Sequence, residues 1–150
     1  MKCRLSAPFI SFLILILLLS LSHAQTYKIE LAIDGDTFLL TNGEYVRLVG
    51  VDTPETKHPQ KPVEYFGKEA HLFTKRMGEG KEVRLEYDQT RRDRYNRILA
   101  YVYLMDGTFL YAEIIKQGYG FAYTKYPFKY MEEFRGYERE ARENKRGLWK

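Results

Sequence analysis

An α+β domain, a small five-stranded antiparallel barrel with three packed helices, is the fold class that the sequence predicts. Three observations carry this expectation. Asp34-Gly35 and Asn42-Gly43 each separate short apolar runs, a strong sign of consecutive antiparallel hairpins. Two more apolar runs, 82–87 and 97–104, follow a segment with helical spacing. The apolar residues near the end of the chain again recur at helical spacing.

Taken in order, YKIELAI alternates, FLLTN follows the Asp-Gly turn, and EYVRLVGV follows Asn42-Gly43, which gives three strands. A polar, proline-bearing loop, TKHPQKP, comes next. Phe66, Ala70, Phe73 and Met77 fall at i, i+4, i+7 and i+11, predicting a helix that Gly78 and Gly80 end. The strands EVRLEY and RILAYVYL flank a charged link, DQTRRDRYN. A short helix, TFLYAEIIKQ, closes at Gly118, and a last helix with Tyr130, Phe134, Tyr137 and Ala141 on one stripe stops at Gly147. Three strands, a helix, two strands and then helices fit an OB-fold with packed helices. Such barrels also serve as simple nucleic-acid binders, so the fold alone does not set the function.

The first 24 residues stand apart as an export signal. Lys2 and Arg4 give a positive start, Ala7 to Leu21 is nearly all apolar, and Ser22-His23-Ala24 offers cleavage after Ala24. The apolar run is shorter than the roughly 20 residues that span a bilayer, which favours a cleaved signal over an uncleaved anchor. Residues 25–150 then form one domain, expected to be secreted or periplasmic and monomeric, with no stable membrane association. Cys3, the single cysteine, leaves with the signal, which excludes a disulfide, a thiol nucleophile and a cysteine metal site in the exported protein. Loss of Lys2 and Arg4 lowers the formal net charge from +4 to +2, so composition alone does not single out a nucleic-acid partner.

The chemistry concentrates in two acidic clusters. Asp52-Thr53-Pro54-Glu55 reads first as a helix start. Pro59 and Pro62 would fall within its first turns, each costing about 3 kcal/mol in a helix interior, so the segment is expected to be a turn or loop. Asp34-Gly35-Asp36-Thr37 reads first as a hairpin turn. In a hairpin, the start of one strand lies beside the end of its partner, so the clusters should meet at one end of the sheet. Four carboxylates there would repel unless a cation sat among them. The donors are carboxylates, the Thr53 hydroxyl or carbonyl, and water, a hard oxygen set that suits Ca²⁺ or Mg²⁺ rather than zinc. Irregular spacing and an extracellular location favour Ca²⁺. Arg47 inside an apolar strand and Arg97 at the start of another could each simply cover a sheet edge with an aliphatic stem. Together, beside a bound cation, they suggest a guanidinium clamp for a phosphodiester.

These residues resemble the staphylococcal nuclease (thermonuclease) family of calcium-dependent secreted nucleases. The matching stretches are IDGDT at 33–37, VRLVGVDTPETKHP at 46–59, RDRYNRILAYVY at 92–103 and ARENKRGLW at 141–149. The resemblance implies that Asp36 and Asp52 bind Ca²⁺ through their carboxylates and Thr53 through its main-chain carbonyl, with Asp34 in an outer role. It implies Glu55 as general base or water-orienting group, and Arg47 and Arg97 as holders of the scissile phosphate. Arg94, Tyr95 and Tyr123 match positions around the bound nucleotide. Asn96 departs from the family pattern, which commonly has Gly there; Asn tolerates the left-handed backbone such a turn needs.

The expected function is hydrolysis of DNA and RNA, single strands preferred, to products with 3′-phosphate ends. Two other classes compete: a non-catalytic OB-fold module binding single strands by stacking and basic residues, and a calcium-binding structural domain. A binder has no need of Asp36, Asp52, Glu55, Arg47 and Arg97 together, and a structural domain does not explain the two arginines. His58 and His71 read as solvated residues without a role, and Trp149 as packing.

Overall fold

A computed structural model describes residues 25–56, 60 and 62–150 of the chain. The expected export segment, 1–24, and His58 and Pro59 of the proline-bearing loop lie outside the described residues. Among the described residues, no helix is long and apolar enough to cross a membrane.

The elements run β1 (Thr26–Asp34), β2 (Thr37–Leu40), β3 (Tyr45–Leu48), β4 (Val51–Asp52), α1 (Gly67–Gly78), β5 (Glu82–Arg92), β6 (Ile98–Leu104), α2 (Leu110–Lys116), β7 (Phe121–Ala122) and α3 (Met131–Glu143), then a 3₁₀ turn, Gly147–Trp149. Five strands close into a barrel in the order β1-β2-β3-β6-β5. Four of the pairings are antiparallel, but β3 and β6 run parallel, with Val46 opposite Ile98 and Arg47 opposite Leu99. The expectation of an all-antiparallel barrel is thereby corrected, and the reason is topological. Strand directions cannot alternate all the way round a closed ring with an odd number of members, so one seam must be parallel.

Three boundaries also differ from the sequence reading. The charged link 88–96 is largely strand, because β5 continues to Arg92. The run EYVRLVGV is broken: β3 stops at Leu48, the chain turns through Val49 and Gly50, and β4 pairs with β7 rather than extending β3. The last helix ends at Glu143, and Lys145 with φ 50° leads out of it.

The barrel interior holds Ile29, Phe38, Leu40, Val46, Leu48, Val83 and Val102, and the inner faces of α2 and α3 add Leu110, Tyr111, Ile114 and Phe134. Bulges in β1 between Ile29 and Leu31 and between Ala32 and Asp34 interrupt its alternation, leaving Leu31 exposed while Ile29 and Ala32 face inward. Helix α1 is tied to the segment after α2 by Tyr119, whose ring stacks on Phe73 with centroids 4.1 Å apart and on Phe66 at 5.4 Å. The buried hydroxyl of Thr74, also on α1, donates to the carbonyl of Gly35 at 2.7 Å and so pins the β1–β2 turn to the helix.

Candidate active site

The β1–β2 turn places Gly35 and Asp36 at its tip, with Asp34 opposite Thr37. Asp36 is nearly buried there. The end of β3 meets this turn through the Leu48 amide, which donates to the Asp36 carbonyl at 3.0 Å. The bend after Leu48 then swings Asp52 back across the same end of the barrel. Arg47 fills the crook of the bend: Nη1 donates to the carbonyls of Leu48 at 3.1 Å and Val51 at 2.7 Å. Its Nη2 lies 3.1 Å from Asp36 Oδ2 and 3.2 Å from Asp52 Oδ1. The Thr53 amide donates to Asp36 Oδ2 at 3.3 Å. The two acidic clusters do meet, and one guanidinium joins them.

Close approach at this corner depends on glycine. A Cβ at Gly35 would lie 2.4 Å from Thr53 Oγ1, well inside contact distance, so only glycine lets Thr53 settle against the turn.

Burial dominates the electrostatics. It pushes the Asp36 carboxyl above its usual range; the Arg47 guanidinium pulls it back, and the neighbouring Asp52 raises it again. Asp52 shifts upward for the same leading reason, opposed by Arg47 and reinforced by the charges of Glu64, Glu55 and Asp34. One cation therefore stands against an excess of carboxylates. Asp34 itself accepts the Thr56 hydroxyl at 2.8 Å.

Residues 53–55 are not helical, as the prolines require, and α1 begins only at Gly67. Glu55 is held by its backbone: its amide donates to Glu64 Oε2 at 3.0 Å, and its carbonyl accepts the Glu64 amide at 3.0 Å. Glu64 escaped sequence reading because a single exposed acid in a loop carries no periodic or motif signal.

Arg97 is positioned separately. Its amide and Nε both donate to Asp93, at 3.0 and 2.7 Å, within a tight turn in which Asn96 has φ 63°. Asn96 thus adopts the left-handed backbone expected of it. The Tyr95 ring is exposed, with Arg94 and Arg97 at 4.9 and 5.4 Å from its centroid. Among the described residues, Arg97 makes no hydrogen bond or ion pair with Arg47, Asp36 or Asp52. The two arginines are related through the parallel β3–β6 seam and not by direct contact. Tyr123 follows β7 directly; its amide donates to the Gly50 carbonyl at 2.9 Å, which keeps it on the strand beside β4.

His71 is half-buried rather than solvated, and its Nδ1 is buried without a partner. Trp149 packs as expected, edge-on against Phe121.

Among the described residues, no three His, Cys, Asp or Glu side chains cluster as a metal site. The arrangement is one buried and one half-exposed carboxylate with the Thr53 backbone beside them, an all-oxygen set whose charge Arg47 only partly offsets. Its chemistry fits a hard divalent cation and not a soft one.

Residues 45–150 match the family model described as Staphylococcal nuclease homologue. The chain is 42% identical over 136 residues to a thermonuclease of Staphylococcus hyicus, covering 87% of this chain and 79% of that protein. It is 39% identical over 131 residues to a thermonuclease of Staphylococcus intermedius, covering 85% and 77% of the two chains. It is 40% identical over 127 residues to Endonuclease YncB of Bacillus subtilis, covering 81% and 60%.

Proposed function

Because the chain belongs to the family of staphylococcal nuclease homologues, we propose that it is an exported, calcium-dependent nuclease that hydrolyses phosphodiester bonds of DNA and RNA. The observation that carries this reading is the Asp36–Arg47–Asp52 junction at one end of the barrel, with Glu55 beside it. Single strands are preferred substrates, and the products carry 3′-phosphates. Export follows cleavage of residues 1–24 after Ala24, and the mature protein acts as a monomer outside the cytoplasm.

Asp36, Asp52 and the Thr53 carbonyl would hold Ca²⁺, which when bound supplies positive charge against a phosphate oxygen. Glu55 orients a water for in-line attack and accepts its proton. Arg47 and Arg97 bind the non-bridging oxygens, whose charge grows toward the transition state, with planar forks that match phosphate geometry. In Arg97 the Asp93 pair fixes the side chain through Nε, the inner nitrogen of the fork. Arg94 and Tyr95 contact the phosphate flank of the nucleotide, and Tyr123 lines its base side.

The test is incubation of residues 25–150 with single-stranded DNA and RNA in Ca²⁺, in Mg²⁺ and in excess EDTA, alongside Glu55→Gln. The expected result is cleavage in Ca²⁺ that EDTA abolishes, 3′-phosphate ends, and a rate roughly 10²- to 10⁴-fold lower for Glu55→Gln. Full activity in EDTA would remove the metal, and a nearly unchanged Glu55→Gln rate would remove the base.

A further inference from the structure

Arg135, Arg139 and Arg142 recur at i, i+4 and i+7 on α3, so they stand on one stripe of the helix. With Glu138, Ala122 and Thr124 they line a groove of about 270 Å³ between α3 and the chain leaving β7. Three guanidinium groups thus face a single lining carboxylate, and that carboxylate is already engaged. Glu138 Oε2 accepts the Ala122 amide at 2.7 Å, and Oε1 accepts Nε and Nη2 of Arg142 at 3.0 and 2.5 Å. Arg142 also lies over the Trp149 ring, 4.0 Å from its centroid, which fixes the plane of its fork.

The other two arginines are less committed. Arg135 pairs with Glu132, whose side chain is 81% exposed, and surface pairs of this kind are weak and exchange readily for another anion. Arg139 is exposed and has no carboxylate partner among the described residues. The groove therefore carries surplus positive charge spread over two turns of helix, about 10 Å from Arg135 to Arg142. That length exceeds one phosphate and suits successive phosphates of a chain.

Its place in the fold ties it to the candidate active site. Ala122 lies opposite Val51, and the next pair along is Phe121 with Asp52. Between the two groove residues Ala122 and Thr124 stands Tyr123, and the exposed rings of Tyr123 and Tyr126 lie 6.3 Å apart on the same segment. Exposed aromatic faces and a row of basic side chains thus belong to the same β7–α3 region, the combination that single-stranded binding uses.

We propose that the groove between β7 and α3 is an auxiliary phosphate subsite that holds the backbone of a single-stranded substrate beyond the scissile bond, with Arg139 as its uncommitted contact. The inference rests on the nuclease reading above and deepens it by setting the path of the substrate's flank. Arg142 frames the groove, Arg139 and Arg135 supply exchangeable charge, and Glu138 locks the helix to β7.

Arg139→Ala and Arg139→Glu in the full mature chain test it. Steady-state kinetics are compared on a dinucleotide and on single-stranded DNA of about 16 nucleotides, the upper end of OB-fold site sizes, over a range of salt. The expected result is a KM for the long strand raised roughly two- to tenfold, more for Glu than for Ala. The slope of log KM against log salt should fall by about 0.7, one phosphate contact on a single strand. Dinucleotide kinetics and the melting temperature should stay at wild-type values. An unchanged long-strand KM and salt slope, or equal losses on both substrates, would overturn the subsite. Absence of turnover of both substrates by the wild-type protein would sink the nuclease reading itself, and the subsite with it.

Discussion

Nη2 of Arg47 lies 3.1 Å from Oδ2 of Asp36, two residues brought together by the pairing of β2 with β3. The same nitrogen reaches Asp52, and Nη1 of the same group caps two carbonyls freed by the bend after Leu48. The guanidinium is thus at once a structural brace and the cation of the site. Arg47→Lys should separate these roles. A lysine keeps the charge and loses the fork, so activity is expected to fall roughly 10²- to 10³-fold, the reach of one transition-state donor. Melting should shift far less than in Arg47→Ala, which leaves both carboxylates without their cation. Near-wild-type kcat in Arg47→Lys would show that the fork is not used.

Glu64 holds the backbone of Glu55 from both sides and adds negative charge near Asp52. As a positioning residue it should affect kcat rather than KM. Glu64→Gln, which keeps an acceptor for the Glu55 amide, is expected to retain most of the rate. Glu64→Ala should lose on the order of tenfold in kcat, since misplacement of a catalytic base by a fraction of an ångström is costly. Equal kcat in the two variants would rule out positioning by this hydrogen bond.

Gly35→Ala places a methyl group within 2.4 Å of the Thr53 hydroxyl. Either the turn or Thr53 must move, and Thr53 leans on Asp36. Loss of most activity is expected together with a fall in melting temperature. Gly43→Ala serves as the control: its Cβ meets nothing within 4 Å, so the strain of φ +84° should cost stability alone.

Acid sensitivity should trace to Asp88, on the opposite wall of the barrel. Burial raises this carboxyl, but the Tyr101 hydroxyl and the amides of Lys129 and Gln89 outweigh burial and hold it below 3.8. A depressed folded-state pKa gives stabilisation that is complete above the unfolded value and is lost as pH falls toward the folded one. Asp88→Asn should therefore melt lower at neutral pH and lose less further stability than wild type between about pH 5 and pH 2. Parallel acid melting curves for the two proteins would assign the acid loss elsewhere.

Much of the site was legible before any coordinates. The prolines at 59 and 62 excluded a helix at Asp52, and α1 indeed waits until Gly67. The two turn dipeptides set β1, β2 and β3 in order, which is why the acidic clusters around Asp36 and Asp52 could be expected at one end of the sheet. Asn96 in place of glycine was readable as a left-handed position, and its φ is 63°. Other features gave no local signal. β4 and β7 are two residues each, too short for any period, yet their pairing sets Asp52 opposite Phe121 and Val51 opposite Ala122. The parallel seam between β3 and β6 joins segments about fifty residues apart, and only ring closure demands it.

The amino-acid order alone fixes which side chains are available: the carboxylates of Asp34, Asp36, Asp52 and Glu55, the two strand arginines, and the absence of cysteine after residue 3. It also determined the local geometry that φ-restricted residues impose, because proline, glycine and asparagine act over one or two bonds. The tertiary structure alone decided that Arg47 would bridge Asp36 and Asp52, that Glu64 would brace Glu55, and that Arg139 would have no acidic partner among the described residues. Those relationships depend on where a closed barrel and a packed helix bring distant segments, and contact between distant segments is fixed by burial and ring closure rather than by spacing along the chain.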